Sequence, residues 1–563
     1  MLGKPRPRLP LSVFSFLSVL LLLLTACGAQ GTPTTPSSNT NATATKGGTM
    51  IDDLYEEPDS LIPNGSSETF SNIVDNGLYT PLFHSDAKGN YQHALAAEIP
   101  TLQNGDISAD LKTWKFKLRS DVKWSDGQPV NADDVDFTWK LWNNAKFGAQ
   151  STTGYNLITS ADVAPDKQSI TFHLKQAFSP FISVWTDGLL SPLPKHHFAS
   201  MAPDAILKSP DNLNPTVTDG AYKMSESVTG DHYTVVRDSN YYLASQGYPY
   251  LDKIVFRIVK NQDTILKDFQ SGNTDASWFI DVSKQPTYSK LVNYHIAANP
   301  ISGSFEEMVI NFKNPILGKD AIVRRAMQMA IDHNALIKTA RHGLASPLCT
   351  DHPAGYHPGY QPDISCPKFD PAAANKMLDD DGWVKGTDGY RTKGSQKLEF
   401  KYSTTANNKW RADDELILQS NFKDIGIKLN IQNYPASTFF GPFLNGGQHD
   451  LAEFESSYAV DPDEAAYLAC DQQPPNGANW SFYCSSQMDS LLKQEQSVGD
   501  PAQRQTIFNQ MHQLVLTDVP WIILYSGPDV AVVKNTVHNY EPGPFGAQEG
   551  VGIWTWWCTG GKC

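Results

Sequence analysis

Basic side chains are in short supply in this sequence: 45 Lys and Arg stand against 60 Asp and Glu, a formal net charge of −15. A nucleic-acid partner needs clustered cations to neutralise phosphates, so that class is excluded. The same deficit means that charge attraction does not hold the protein to an anionic membrane. Hydrolase and nucleotide signatures are missing too: there is no G-x-S-x-G, no H-E-x-x-H and no G-x-x-x-x-G-K. Acidic pairs are common but carry little weight, because a glycosidase needs two carboxyls at a set separation. No C-x2-C pair occurs among the seven cysteines. His196 and His197, read as neighbours on a strand, would point to opposite faces rather than share an ion. Asp379, Asp380 and Asp381 before Gly382 lack the later ligands of a calcium loop. The sequence therefore points to no catalytic residue, no metal ligand and no cofactor. After the first two dozen residues no run is long and apolar enough to span a bilayer.

What is present begins at the N-terminus. Lys4, Arg6 and Arg8 precede an apolar run from Leu11 to Leu24, which ends in Leu24-Thr25-Ala26-Cys27-Gly28. A short apolar run closed by small residues before a cysteine has the form of a lipoprotein signal over residues 1–26, with Cys27 as the diacylated N-terminus. Two acyl chains at ~0.8 kcal/mol per buried CH₂ hold a protein firmly. The expected location is the outer face of a bacterial cytoplasmic membrane. Loss of the leader's three basic residues leaves 42 basic against 60 acidic, a net charge near −18. Residues 27–46 contain no aromatic residue and almost no charge, so they read as a flexible tether. Its typical span is about 25 Å.

The remaining chain is long enough for two or three domains with large cores. Strand and helix patterns alternate without a repeat. Trp114–Leu118 alternates as a half-buried strand, and Asn131 caps a helix carrying Val135, Trp139 and Trp142 on one face. Val323, Ala326, Met327, Ala330 and Ile331 form a helical core stripe, and Asp332 caps the next helix. Residues 397–432 read as a βαβ unit, followed by helices marked by Met488, Leu491 and Leu492 and by Ile507, Met511, Leu514 and Val515. This order predicts α/β lobes rather than a sandwich or bundle. Six cysteines besides Cys27 allow fifteen pairings. They fall into three sequence-local couples, which favours Cys349–Cys366, Cys470–Cys484 and Cys558–Cys563 as structural bridges.

The segment LKTWKFKLRSDVKWSDGQPVNADDVDFTWKLW at residues 111–142 resembles the signature of the family 5 extracellular solute-binding proteins, the oligopeptide- and dipeptide-binding components of ABC importers. Further pieces follow in the family's order. They include Asp59-Ser60-Leu61-Ile62-Pro63, Pro194-Lys195-His196, Gly220-Ala221-Tyr222-Lys223 (with Ala where the family has Pro), Tyr250-Leu251-Asp252-Lys253-Ile254 and Asp461-Pro462-Asp463. The resemblance implies a two-lobed α/β clamp of the periplasmic-binding-protein type, with an extra subdomain inserted in the first lobe. The expected partition is 47–85, 190–298 and 530–563 for the core of lobe I, 86–189 for the insert, and 299–529 for lobe II. The chain would cross between lobes near 296–305 and 525–533. Implied partners are a peptide or another small solute and the permease subunits with their cytoplasmic ATPases, the binding protein itself acting as a monomer. Nickel chelates, oligosaccharides and a solute-sensing role are the alternatives, with a secreted hydrolase behind them.

By the same resemblance, an extended ligand would pair with the strand before the Asp-Pro element, here Phe454, Glu455, Ser456, Ser457 and Tyr458. Relatives often carry an Asp three residues before the Asp of that element, where it anchors an α-ammonium. Tyr458 stands there in this chain, so Glu455 or Asp461 would have to substitute, and Tyr458→Asp would be expected to improve binding of free amino termini. Tyr525 and Trp278 are candidate aromatic contacts, and Ser67 a candidate hydrogen-bonding group from the facing lobe.

Overall fold

The computed structural model describes residues 43–563 except 67, 87, 187–189, 300–302, 407, 436–437, 544 and 546–549. The signal, Cys27, most of the tether and Ser67 lie outside the described residues. From Ala44 onward the chain forms one compact unit built on two large sheets.

The first sheet has seven strands in the order Tyr294–Ala298, Val530–Lys534, Ala276–Ser277, Thr49–Leu54, Lys253–Ile258, His232–Arg237 and Tyr222–Val228. Thr49–Leu54 runs parallel to both of its neighbours, and the remaining pairs are antiparallel. A three-stranded antiparallel sheet, Thr113–Lys117, Ser169–Leu174 and Ile158–Val163, lies beside it. Thr113–Lys117 is half-buried in strict alternation, as its sequence requires. The helix Ala132–Trp142 starts at Asn131, whose side chain accepts from the Asp133 amide while Asp134 returns a bond to the Asn131 amide. Two of the backbone donors at that helix end are thereby satisfied. Its apolar face delivers Val135 and Trp142 to an aromatic cluster with Tyr155, Phe172 and Trp185. One continuous apolar core runs from this cluster into the seven-stranded sheet.

The second sheet has five strands in the order Lys428–Ile431, Glu399–Ser403, Leu451–Ser457, Ser304–Ile310 and Trp521–Ser526. Glu399–Ser403, the helix Lys409–Asp424 and Lys428–Ile431 form a parallel βαβ unit. The helices Ala321–Ala330, Ser486–Gln496 and Pro501–Asp518 cover the two faces, which carry separate apolar clusters. The disulfides are Cys349–Cys366, Cys470–Cys484 and Cys558–Cys563, the three sequence-local pairs, with Cα separations of 5.7, 4.6 and 5.1 Å.

Two neighbouring antiparallel strands link the sheets. Tyr294–Ala298 of the first sheet leads to Ser304–Ile310 of the second, and Trp521–Ser526 of the second returns to Val530–Lys534 of the first. No helix among the described residues is long and apolar enough to cross a membrane.

Candidate functional site

The 451–457 strand is inside the second sheet for only part of its length. Along its whole run it pairs antiparallel with 304–310. On its other edge it pairs with 399–403 only at Leu451 and Ala452. Among the described residues no strand pairs with that edge from Phe454 to Ser457. Glu455, Ser456 and Ser457 are also half-buried, whereas the four residues before them are buried. An interior strand with a free edge at its end offers backbone donors and acceptors to an extended chain.

Side chains alternate across this strand. Glu455 and Glu453 share a face with Glu306, which lies directly opposite Glu455. Glu306 is fully buried and pairs with Arg411, whose Nε and second guanidinium nitrogen donate to its two oxygens at 2.6 and 3.3 Å. Arg411 also donates to Thr405 Oγ1 at 2.8 Å. Glu453 accepts from the Tyr402 hydroxyl, and Asp414 accepts from the Tyr525 hydroxyl at 2.5 Å. Burial pushes the Asp414 carboxyl up to about 8, against the bond from Tyr525. Burial likewise pushes Glu455 up to about 8, with Asp529 and Glu306 adding to the rise and Arg341 and Arg411 opposing it. Arg341 lies over the Trp410 and Tyr525 rings at 5.0 and 5.7 Å.

The facing wall comes from the first lobe. Tyr55 packs edge-on to Phe70 at 4.7 Å, and Phe70 meets Phe279 at 5.6 Å. Burial raises the Tyr55 phenol, with Glu56 next in effect and with Arg411 and Glu455 of the second lobe both within reach of its charge. The lobes also touch where Ser179 Oγ donates to the Glu495 carbonyl at 3.3 Å and where Leu111 lies beside Gly499. A cavity of about 650 Å³ beneath Gln128, Asn131, Lys195 and His196 lies wholly in the first lobe. It has neither a free strand edge nor a contribution from the second lobe, whereas the strand end at Glu455 has both a free edge and Tyr55 of the first lobe near it, so the space there, the groove, is the stronger candidate ligand site.

Several residues singled out in the sequence do not face this groove. Trp278 is fully buried against Tyr540 at 4.8 Å, in the core of the first lobe. Tyr525 lies on the same sheet face as Glu306 and Glu455 but is fully buried there, with its hydroxyl on Asp414. Phe454 packs against Trp480 at 5.4 Å, on the strand face opposite Glu455. Asp461 is held by Arg504 through two bonds of 2.6 and 2.8 Å, which leaves Glu455 as the acid at the open edge. Tyr458 is 4 % exposed, and its hydroxyl donates to Asp351 at 2.5 Å inside the second lobe. Tyr458→Asp would therefore place a carboxyl in an aromatic core and not in the groove. Ser456 donates to Glu307 at 2.7 Å, also away from the groove. His196 and His197 lie on a one-turn helix, Lys195–Phe198, rather than a strand, yet their rings still part, to Asp126 and to Asp211.

Sequence reasoning missed Glu306, Arg341, Arg411, Asp414 and Glu453. The available signal was the spacing of Glu453 and Glu455, two acids at strand period on a segment whose other face carries Phe454. That pattern reads as a solvated face when the covering helix is unknown.

Two large sheets joined by a pair of strand crossings, with a free strand edge on one of them, are the architecture of a two-lobed clamp. The chain belongs to the bacterial extracellular solute-binding proteins, family 5, whose Middle-region profile matches residues 90–477. It is 24% identical over 563 residues to the oligopeptide-binding protein AppA of Bacillus subtilis (strain 168), covering 98% of this chain and 99% of that one. It is 26% identical over 484 residues to the glutathione-binding protein GsiB of Salmonella typhi, covering 83% and 86%. In three dimensions it matches the Bacillus subtilis AppA structure in complex with a nonapeptide at TM-score 0.78, 24% identity, over 92% of this chain and 100% of that one. The Campylobacter jejuni NikZ structure in complex with Ni(L-His) matches at TM-score 0.78, 22% identity, over 90% and 99%.

Proposed function

We propose that this protein captures a peptide in extended form between its lobes and hands it to the permease of an ABC importer driven by cytoplasmic ATPases. The observation that carries this reading is the unpaired edge at Phe454–Ser457, with Glu455 beside it. Backbone pairing along that edge would supply affinity without reading side chains, and Glu455 would receive the α-ammonium in place of the Asp that relatives often carry at the position of Tyr458. A ligand touching both walls favours the closed clamp by its differential affinity for that form, and no bond need be made or broken. AppA and GsiB, binders of an oligopeptide and of glutathione by name, support the peptide class. In this reading the protein works as a monomer, partitioned as 47–85, 190–298 and 530–563 for the first lobe with 86–189 inserted, and 299–529 for the second. A lipid on Cys27 holds it to the outer face of the membrane.

The test is a thermal-shift series with peptides of graded length, each with a free or an acetylated amino terminus. Free termini should raise the melting temperature more, by mass action on the folded state. Glu455→Gln should erase that preference, weakening free-amino peptides about tenfold, roughly the 1.4 kcal/mol of a single charge-assisted hydrogen bond. Equal shifts for free and blocked termini, or binding of nickel chelates or oligosaccharides but no peptide, would redirect the assignment to a solute without an ammonium.

A further inference from the structure

Behind the 451–457 strand, on the face away from the groove, four fully buried residues from three separate segments converge: Asp351, His352, Glu464 and His512. One ligating atom from each lies within 4.8 Å of all the others. Asp351 and His352 come from the loop closed by the Cys349–Cys366 disulfide, Glu464 follows the Asp-Pro element, and His512 projects from the helix Pro501–Asp518.

The two imidazoles are oriented from outside. His352 Nε2 is 3.3 Å from the Pro462 carbonyl oxygen, which only accepts, so this nitrogen carries the hydrogen. His512 Nδ1 is 3.2 Å from Gln361 Oε1, again an acceptor as placed. The nitrogens left over, His352 Nδ1 and His512 Nε2, face each other at 2.9 Å. In neutral rings held this way, both present lone pairs, and two lone pairs at that distance do not attract. Around them stand Glu464, whose two carboxylate oxygens accept no hydrogen bond, and Asp351 Oδ1, which accepts none. The His352 Nδ1 lies 3.2 Å from Glu464 Oε1 and 3.4 Å from Asp351 Oδ1. Arg504, on the same helix as His512, is committed to Asp461 and Glu495. Tyr458, Tyr356 and Phe508 pack around the His352 ring at 5.2, 5.8 and 5.0 Å and keep water away. A Cβ at Gly359 would fall 2.5 Å from His352 Cδ2, so the loop passes the ring only as glycine.

We propose that Asp351, His352, Glu464 and His512 form a binding site for a divalent first-row transition ion, zinc in the first instance. Two neutral imidazoles and two carboxylates balance a double positive charge and supply the four donors of a closed tetrahedral site. Hydrogen bonds from each outer ring nitrogen to a carbonyl oxygen are the arrangement that fixes ligating histidines. Donors about 2.0–2.1 Å from one zinc sit roughly 3.3 Å apart, so the carboxylates rotate inward on loading. The ion would bolt the disulfide loop to the helix and, through the Tyr458 hydroxyl on Asp351, to the end of the groove strand.

The experiment uses the full chain, stripped with chelator, dialysed and titrated with zinc and separately with cobalt(II). The expected results are one tightly held equivalent of zinc by elemental analysis, a higher melting temperature on loading, and the visible absorption of four-coordinate cobalt. Glu464→Gln and His512→Gln should abolish uptake, and Gln361→Ala, which removes no ligand atom but frees the outer nitrogen of His512, should weaken it about 10–100-fold. His196→Gln, on the surface of the first lobe, should change nothing. Failure of the wild-type chain to take up any of these ions would overturn the proposal in favour of a proton shared between the rings. Uptake unaltered in Glu464→Gln, His512→Gln and Gln361→Ala alike would overturn it too. Where a donor substitution unfolds the loop, the wild-type cobalt spectrum and Gln361→Ala still decide.

Discussion

The two faces of the second-lobe sheet each bury a group of carboxyls, and they handle the charge differently. On the groove face, Glu306, Glu453 and Asp414 surround Arg411, with the Tyr402 and Tyr525 hydroxyls donating into the group. One guanidinium cannot neutralise three carboxylates, so the excess is met by protons, as the rise of Asp414 to about 8 records. On the far face, Asp351 and Glu464 have no cation of their own and meet two histidines whose free nitrogens point inward. The first group adjusts by holding or releasing protons beside the free strand edge at Glu455. The second is sealed, with all four residues fully buried, and the divalent ion proposed above would meet its charge. A buried charge without a partner is costly, so each face needed a solution of its own.

The largest way to break this comparison is Arg411→Met. Removing the guanidinium leaves Glu306 buried without its partner, and unfolding by urea should show a loss of about 3–5 kcal/mol. A loss under about 1 kcal/mol would mean that the Glu306–Arg411 pair does not carry the charge balance of the groove face. Next is Tyr458→Phe, which deletes the hydroxyl donated to Asp351 and should cost about 1–2 kcal/mol in the same assay. Zinc should restore most of that loss if a cation is the main partner of Asp351, and none of it if the hydroxyl is. The third test, read as a change of slope, is the pH profile. Asp414 and Glu455 sit near 8, above their ordinary 3.8 and 4.5, so the folded chain keeps protons that the unfolded chain has released. Stability should therefore fall as pH rises from the ordinary carboxylate range to about 8. The melting temperature of Asp414→Asn should fall less steeply over that window, and an unchanged slope would place the titrating groups elsewhere.

Much of the scaffold was legible in the residues. The stripe Val323 to Ile331, the caps Asn131 and Asp332 and the βαβ unit around Lys409–Asp424 are local patterns, and local patterns survive folding. The disulfides paired as sequence neighbours for the same reason. The site was less legible, because direction on a strand depends on what packs against each face. Phe454 and Glu455 are neighbours on one strand and Tyr458 follows its end, yet the two aromatics turn inward and only the acid reaches the groove edge. Trp278 and Tyr525 were equally ambiguous, since an aromatic suited to a ligand wall suits a core as well. The Asp351, His352, Glu464 and His512 group left no local trace. Its members lie as many as 161 positions apart and meet only through tertiary packing.

The linkage between the lobes has a mechanical consequence. In each sheet the two connecting strands are neighbours, 294–298 with 530–534 and 304–310 with 521–526. The two connections between the sheets therefore run side by side, each leaving one sheet as the neighbour of the strand that returns to it. Arg341 lies against Gly527, where a methyl would come within 2.8 Å of its guanidinium, and it reaches the Pro528 carbonyl at 3.5 Å. Its position makes that side chain a wedge at the pivot. Bulk added there would press on the same guanidinium that opposes the rise of Glu455, so the linkage and the acid at the strand edge share one side chain.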